Sequence, residues 1–270
     1  MNGIIGMTRI AKQQQNSAKT ADCLGKIDVS SKFLLGLVND ILDMTKIESG
    51  AVKLHAEPYL AEEFLAYLEA VMRPLCNEKH QKFIITGEPS QDYIPILDKL
   101  RTNQIVFNLL SNAVKYTPEG GIIEYHLEER LDGDKLMIII GVKDNGIGMS
   151  AEFQKMLFQP FTQENRYTGS DFHSGSSGLG LSIVNRLVNL MHGTIEVQSA
   201  PGKGSHFIIH VPVDYICTQD YHPRKQPEQS INALAALAGK HVLLCEDHPM
   251  NQEIAKSLLE EAGMLVEIAD

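Results

Sequence analysis

The feature that most limits how this chain can fold is a strand that ends on a carboxylate and turns through two glycines. It reads Met137-Ile-Ile-Ile-Gly-Val-Lys-Asp144-Asn-Gly146-Ile-Gly148. Such an apolar run reads as a strand inside a sheet, and it delivers Asp144 to a fixed place at the strand's end. A carboxylate only accepts hydrogen bonds, so it suits the exocyclic amino group of adenine. It repels guanine, which offers an oxygen at the matching edge. The glycines let a backbone approach a flat base. A second reading stays open at this point. Gly146-x-Gly148-x-x-Ala151 also fits a loose dinucleotide fingerprint, with Glu164 about twenty residues on, although no helix–strand unit links 151–164.

Three further constellations flank this turn. Asn108 and Asn112 lie four apart on a helix expected over residues 99–116, so they share one face. Buried amides without partners are costly, so the pair either faces solvent or faces a site. In a site, an amide oxygen can ligate Mg²⁺ beside phosphate oxygens, and Lys115, one turn on, can meet a phosphate. Downstream, Gly175-Ser-Ser-Gly178-Leu179-Gly180-Leu-Ser182 opens a helix expected over 179–192. Free N–H groups at a helix start, with glycines around them, form an anion cradle; a plain flexible loop is the other reading. Phe158-Gln-Pro160-Phe161 stands between the glycine motifs, either anchoring a lid or packing in the core. No GxxxxGK[ST] sequence occurs, which excludes a P-loop enzyme.

The flanking patterns divide the chain. Residues 1–20 read as a polar helical stretch with Ile5, Met7 and Ile10, and residues 27–49 as an amphipathic helix with Leu34, Val38, Ile41, Leu42 and Thr45 on one stripe. A connection near Gly25 makes residues 1–52 a helical hairpin. It would pair with a second copy as a four-helix bundle or pack on the rest of this chain. From Pro58 the pattern is mixed: a helix over 60–80, strands at 83–86 and 94–97, the helix over 99–116, and strands at 122–129 and 135–143 around Asp132-Gly133. The helix over 179–192 and strands at 194–199 and 205–211 follow. This reads as an α/β sandwich over 58–213, a mixed sheet covered by helices on one face. Residues 214–238, with Pro223 and Pro227, read as a linker. Residues 239–270 read as a βαβ opening, too short for an independent sheet and expected to lack order or borrow contacts.

Composition removes several classes. The net charge of −10 argues against general nucleic-acid binding, which needs a basic surface. Cys23, Cys76, Cys217 and Cys245 form no CxxC pair, and the ten histidines form no ligand pair, so neither a disulfide frame nor a zinc site is expected. The thiols suit a cytoplasmic protein. No run reaches the roughly 18–20 apolar residues of a membrane span, and no secretory signal is visible at the N-terminus.

The order of the motifs resembles the histidine-kinase catalytic domain: an Asn-x-x-x-Asn helix, a strand-borne Asp-x-Gly-x-Gly, an aromatic hinge, then GLGL. That family belongs to the GHKL superfamily, with gyrase-type topoisomerases, heat-shock chaperones and mismatch-repair ATPases. The resemblance covers about residues 58–213. Upstream, MNGIIGMTRIA and SSKFLLGLVNDILDMTKIESGAVKL resemble the dimerisation and phosphotransfer hairpin of hybrid sensor kinases, and residues 239–270 resemble the start of a receiver domain. The resemblance implies Mg²⁺ ligation by Asn112 with Asn108 nearby, and catalytic roles for Asn108 and Lys115. It implies phosphate and ribose contacts from Lys115 and Tyr116, and adenine reading by Asp144 with Gly146 and Gly148. Phe161, Gly178, Leu179 and Gly180 would complete the ATP site beneath a lid of about 162–177, which carries Tyr167, Asp171, Phe172 and His173. Glu246 and Asp247 match a receiver's acidic metal pair. The implied activity is transfer of the γ-phosphoryl group of ATP to a hairpin histidine and on to a receiver aspartate, in a homodimer with a receiver in cis or a response regulator as partner. None of the ten histidines occupies the family's phosphoacceptor motif and the receiver aspartate would lie beyond Asp270, so this chain is expected to bind Mg·ATP without phosphorylating itself. The non-kinase alternative, an ATPase or docking module, usually places a glutamate base where Asn108 stands.

Overall fold

The computed structural model describes residues 17–164, 178–221 and 237–269. They belong to two compact units, Met1–Tyr221 and His222–Asp270. The polar stretch before residue 17, most of the expected lid and most of the expected linker lie outside the described residues.

The first unit begins with helix α1 (Ser17–Glu48). It runs unbroken through Gly25, where the sequence suggested a connection. A glycine inside a helix costs only about 1 kcal/mol relative to alanine, and the surrounding Leu24, Lys26 and Ile27 continue the helix. At its C-terminal end, Met44 and Ile47 pack against the core of the unit. The Asp43 carboxylate accepts from Arg101 Nη1 at 3.2 Å and Gln104 Nε2 at 2.8 Å.

Strand β1 (Glu57–Pro58), helix α2 (Ala61–Glu78), β2 (Lys82–Thr86), β3 (Tyr93–Leu97) and helix α3 (Lys99–Tyr116) follow. Then come β4 (Ile122–Asp132), β5 (Lys135–Asp144), the short α4 (Ala151–Gln154), α5 (Gly180–Leu190), β6 (Thr194–Ala200) and β7 (Gly204–Cys217). The seven strands form one mixed sheet in the order β1-β3-β7-β5-β4-β2, with β6 also on β7. Only β2–β4 is a parallel pair; the others run antiparallel. The β4–β5 hairpin turns at Gly133, whose φ of 63° a tight turn requires.

One face of the sheet is apolar, and the helices cover it. Phe64, Leu68, Met72 and Cys76 recur every four residues on α2. Ile105, Val106, Leu109 and Leu110 line α3, and Ile183, Val184, Leu187 and Val188 line α5. They close on Ile123, Tyr125, Ile138, Ile140, Ile209 and Val211 from the strands. This is the one-sided sandwich that the period-2 and period-3.6 patterns imply. Strand β7 runs past residue 211, so residues 214–217 are strand rather than linker. Their ladder to β3, with Tyr93 and Tyr215 edge to face at 5.0 Å, holds that end of the sheet.

The second unit contains β8 (His241–Cys245), helix α6 (Pro249–Glu261) and β9 (Leu265–Ala269). The strands pair in parallel over five residues, so this segment forms the βαβ motif that its sequence pattern implies. The pairing is local: the crossover helix returns the chain directly to β8.

Candidate functional site

A cavity of about 370 Å³ opens between α3, the Asp144 turn and the start of α5. It gathers most of the sequence-predicted residues: Asn108, Asn112, Lys115, Tyr116, Asp144, Gly148, Gly178 and Gly180.

The central position of β5, paired with β4 and β7, fixes Asp144. Its side chain is 8% exposed. Among the described residues its hydrogen bonds fall on Oδ1, from Gly146 N at 2.8 Å and Ser205 N at 3.3 Å, and none of them reaches Oδ2. Burial raises its pKa above the ordinary carboxylate range, and those two bonds oppose the rise without cancelling it.

The glycines of this turn serve the protein before they serve a base. A Cβ on Gly146 would collide with the Tyr116 carbonyl, and one on Gly148 (φ 64°) with the Ala200 carbonyl. Ile147 N–H donates to Tyr116 O at 3.2 Å, and Gly202 N–H to Ile147 O at 2.7 Å. The turn is therefore sewn to the end of α3 and to the β6–β7 connection. Gly148 lines the cavity, and Gly146 stands behind it.

Helix α3 is capped by Asp98, whose Oδ1 accepts from Arg101 N at 3.0 Å. Its core stripe leaves Asn108, Ser111, Asn112 and Lys115 on the cavity side. Neither asparagine amide hydrogen-bonds to any described residue. Asn108 Oδ1 lies where a Cβ on Gly180 would come within 2.9 Å, so Gly180 keeps room beside that amide. Lys115 Nζ is buried with no hydrogen-bond partner among the described residues, 5.4 Å from the centre of the Tyr116 ring. Burial, and then Lys79, lower its pKa. A buried cation without a partner facing a cavity fits an anionic group, and the two amide oxygens beside it fit a hard cation.

The start of α5 completes the site. Its N-cap, Leu179, supplies no side-chain cap to the first N–H groups of the helix, which have no partner within a helix and point toward an anion's position. The Leu179 side chain is buried in the core, so only its backbone can serve a ligand. Phe161 N–H donates to Gly178 O at 2.9 Å, and Gly178 (φ 69°) sits so close that a Cβ would come within 2.9 Å of the Phe161 backbone. This contact ties the two ends of the 162–177 segment. The Phe161 ring is 64% exposed and does not line the cavity, whereas Phe158 packs against the core.

Sequence reasoning missed Ser205 and Phe207 on β7, the apolar wall of Met149, Phe153 and Leu157, and Asp40 on α1. The Gly204-Ser-His-Phe207 run after a Pro-Gly turn was the available signal for β7. For Asp40 none existed, because only the docking of α1 brings it to the cavity. Glu246 and Asp247 sit after β8. Glu246 Oε1 accepts from His248 N and Asn251 Nδ2, both at 3.1 Å, which hold its pKa low. No cluster of three His, Cys, Asp or Glu side chains occurs among the described residues, so no third such ligand joins this pair.

Residues 97–215 match the family described as histidine kinase-, DNA gyrase B-, and HSP90-like ATPase. Residues 97–215 thus form a domain of this ATPase type. Over nearly its whole length it is similar to named sensor kinases. It is 36% identical over 99% of its residues to the autoinducer 2 sensor kinase/phosphatase LuxQ of Vibrio vulnificus (strain YJ016). It is 31% identical over 98% to the sensor histidine kinase GacS of Pseudomonas protegens (strain DSM 19095 / LMG 27888 / CFBP 6595 / CHA0). It spans 31% and 28% of those proteins, about a third of their length. Among solved structures, full-length ShkA in complex with AMPPNP superposes over 99% of this chain and 52% of its own, with TM-score 0.63 and 25% identity. Asp144, α3 and the GLGL start line one cavity inside the matched domain, and the match to an ATPase family replaces the dinucleotide reading of Gly146 and Gly148. Among the described residues no helix is long and apolar enough to cross a membrane.

Proposed function

We propose that this chain binds Mg·ATP in the cavity and supplies the catalytic domain of a sensor histidine kinase. The observation that carries the reading is a cavity holding both a buried carboxylate, Asp144, whose Oδ2 has no hydrogen bond from the described residues, and a buried ammonium, Lys115, with no hydrogen-bond partner among them. Asp144 Oδ2 accepts the adenine amino group. Tyr116 meets the ribose, and Lys115 and the N–H groups from Gly178 to Leu181 hold the phosphates. Asn112, with Asn108 beside it, ligates the magnesium ion, which when bound neutralises charge on the triphosphate. The site then positions the γ-phosphorus for in-line attack by a histidine nitrogen. The bond to the β-phosphate oxygen breaks, the phosphorus–nitrogen bond forms, and ADP leaves. The phosphoryl group passes next to a receiver aspartate, in cis or on a response regulator.

Helix α1 suits the dimer this chemistry uses. Leu34, Val38, Ile41 and Leu42 form an exposed apolar stripe at helical spacing, the pattern of a helix that pairs with a second copy. The reduced cysteines and the family's chemistry favour a cytoplasmic location.

The test has two arms. Calorimetry should show Mg·ATP binding that Asp144→Asn weakens by roughly a hundredfold, the order expected when a buried hydrogen-bonding match is broken. Unchanged affinity would refute the site. The chain should also transfer label from γ-labelled ATP to a separate hairpin bearing the family's histidine, as an acid-labile product. Binding without transfer would leave a nucleotide-binding module.

A further inference from the structure

We propose that Gln81 is a positioning residue for the phosphate end of the cavity, a role that rests on the nucleotide-binding reading above. Helix α2 stops where His80 adopts a left-handed backbone, φ 52°. The chain then turns Gln81 inward, where it is 4% exposed. Its side-chain amide donates two hydrogen bonds to the last turn of α3, from Nε2 to Val114 O at 3.1 Å and to Thr117 O at 2.7 Å. Lys79 Nζ adds a second donor to Val114 O at 3.0 Å.

The last carbonyls of a helix have no partners within it, and many helices satisfy them with a glycine that folds the chain back. Helix α3 has Thr117 in an extended conformation at that place instead. Its end carbonyls are therefore held from outside by side chains of the α2–β2 connection.

The two residues between the clamped carbonyls are Lys115 and Tyr116, and both line the cavity. Tyr116 O accepts separately from Ile147 N at 3.2 Å, so the Asp144 turn keeps its own tie to the helix when Gln81 is altered. No described residue hydrogen-bonds to the Lys115 ammonium. Its position is set by its backbone, and Gln81 holds that backbone without touching a ligand.

The test is Gln81→Leu in the whole chain, which keeps bulk and removes the donor. Displacement of a fluorescent nucleotide by ADP and by adenosine separates the phosphate end from the base end. ADP affinity should fall roughly tenfold, as for a misplaced charge-assisted contact, while adenosine stays within about twofold. Gln81→Glu keeps the shape and aims oxygens at carbonyls, and it should show the same ADP-selective loss. A thermal melt of each variant identifies which are folded at the assay temperature, and either folded variant decides the matter. Equal losses for ADP and adenosine, or no loss, would overturn the role. If the unaltered chain fails to bind ADP, the nucleotide reading falls and this role falls with it.

Discussion

Among the described residues two strand pairs run parallel, β2 on β4 and β8 on β9, each registered over five residues. Their backbones are equivalent and their surroundings are not. Phe83, Ile123 and Tyr125 of the first pair are buried in the core beneath the helices. In the second, no residue of β8, β9 or α6 is fully buried. Leu243 is 64% exposed, and Met250, Ile254, Leu258 and Leu265 are exposed with it. A backbone ladder can thus be specified by local sequence alone, but hydrogen bonds exchanged with water contribute little net stability. What separates the two regions is apolar area removed from water, worth about 25 cal/mol per Å².

Hydrogen exchange gives the largest expected contrast. Amides of Ile138–Val142 should open only with the unit as a whole, while those of β8 and β9 should exchange through local opening, faster by roughly a thousandfold or more. Comparable protection in both ladders would break the comparison.

Side-chain truncation sharpens the same contrast on a smaller scale. Leu187 on α5 is fully buried, so Leu187→Ala should cost about 3 kcal/mol through lost transfer energy and a cavity. Leu258 on α6 is exposed, so Leu258→Ala should change stability by less than about 0.5 kcal/mol. Denaturant melts of the two variants check both. A large loss from Leu258→Ala would mean that its face is covered in solution.

The sequence reveals what depends on periodicity and on single residues with few substitutes. Helix α3 and the β4–β5 hairpin follow from spacing and from Gly133, and Asp144 with Asn108 and Asn112 follow from chemistry that tolerates few other side chains. What escaped depends on long-range partners. Gly25 resembles a break, yet a helix with continuous neighbours absorbs one glycine. Residues 214–217 look like a linker because their partner, β3, lies more than a hundred residues earlier in the chain. Gly146 and Gly148 were read as room for a base, whereas the backbone they admit is the protein's own. Leu179 and Phe161 sit inside the right motif, but one side chain points to the core and the other to solvent, a distinction no motif encodes.

Acid is expected to act with opposite signs on the two units, the smallest effect considered. Burial raises the pKa of Asp144 despite its bonds from Gly146 and Ser205, so the folded state holds that proton more tightly than the unfolded chain does. Its contribution to the stability of the empty protein therefore grows as pH falls through the raised pKa, and is lost as pH rises. Nucleotide binding runs the other way, because only the carboxylate accepts from the adenine amino group. Affinity should be full above that pKa and should decline on acidification, and Asp144→Asn should remove this dependence. In the second unit, the bonds from Asn251 and His248 depress the pKa of Glu246. Its contribution is present above the unfolded pKa and is lost as pH falls through the folded one. Carbon-detected titration of the two carboxyl groups reads both directions at once, with the midpoint of Asp144 above the ordinary carboxylate range and that of Glu246 below it. If Asp144 titrated at or below Glu246, its oxygens would be better hydrated than this cavity allows, and the argument that a buried carboxylate selects the base would fail with it.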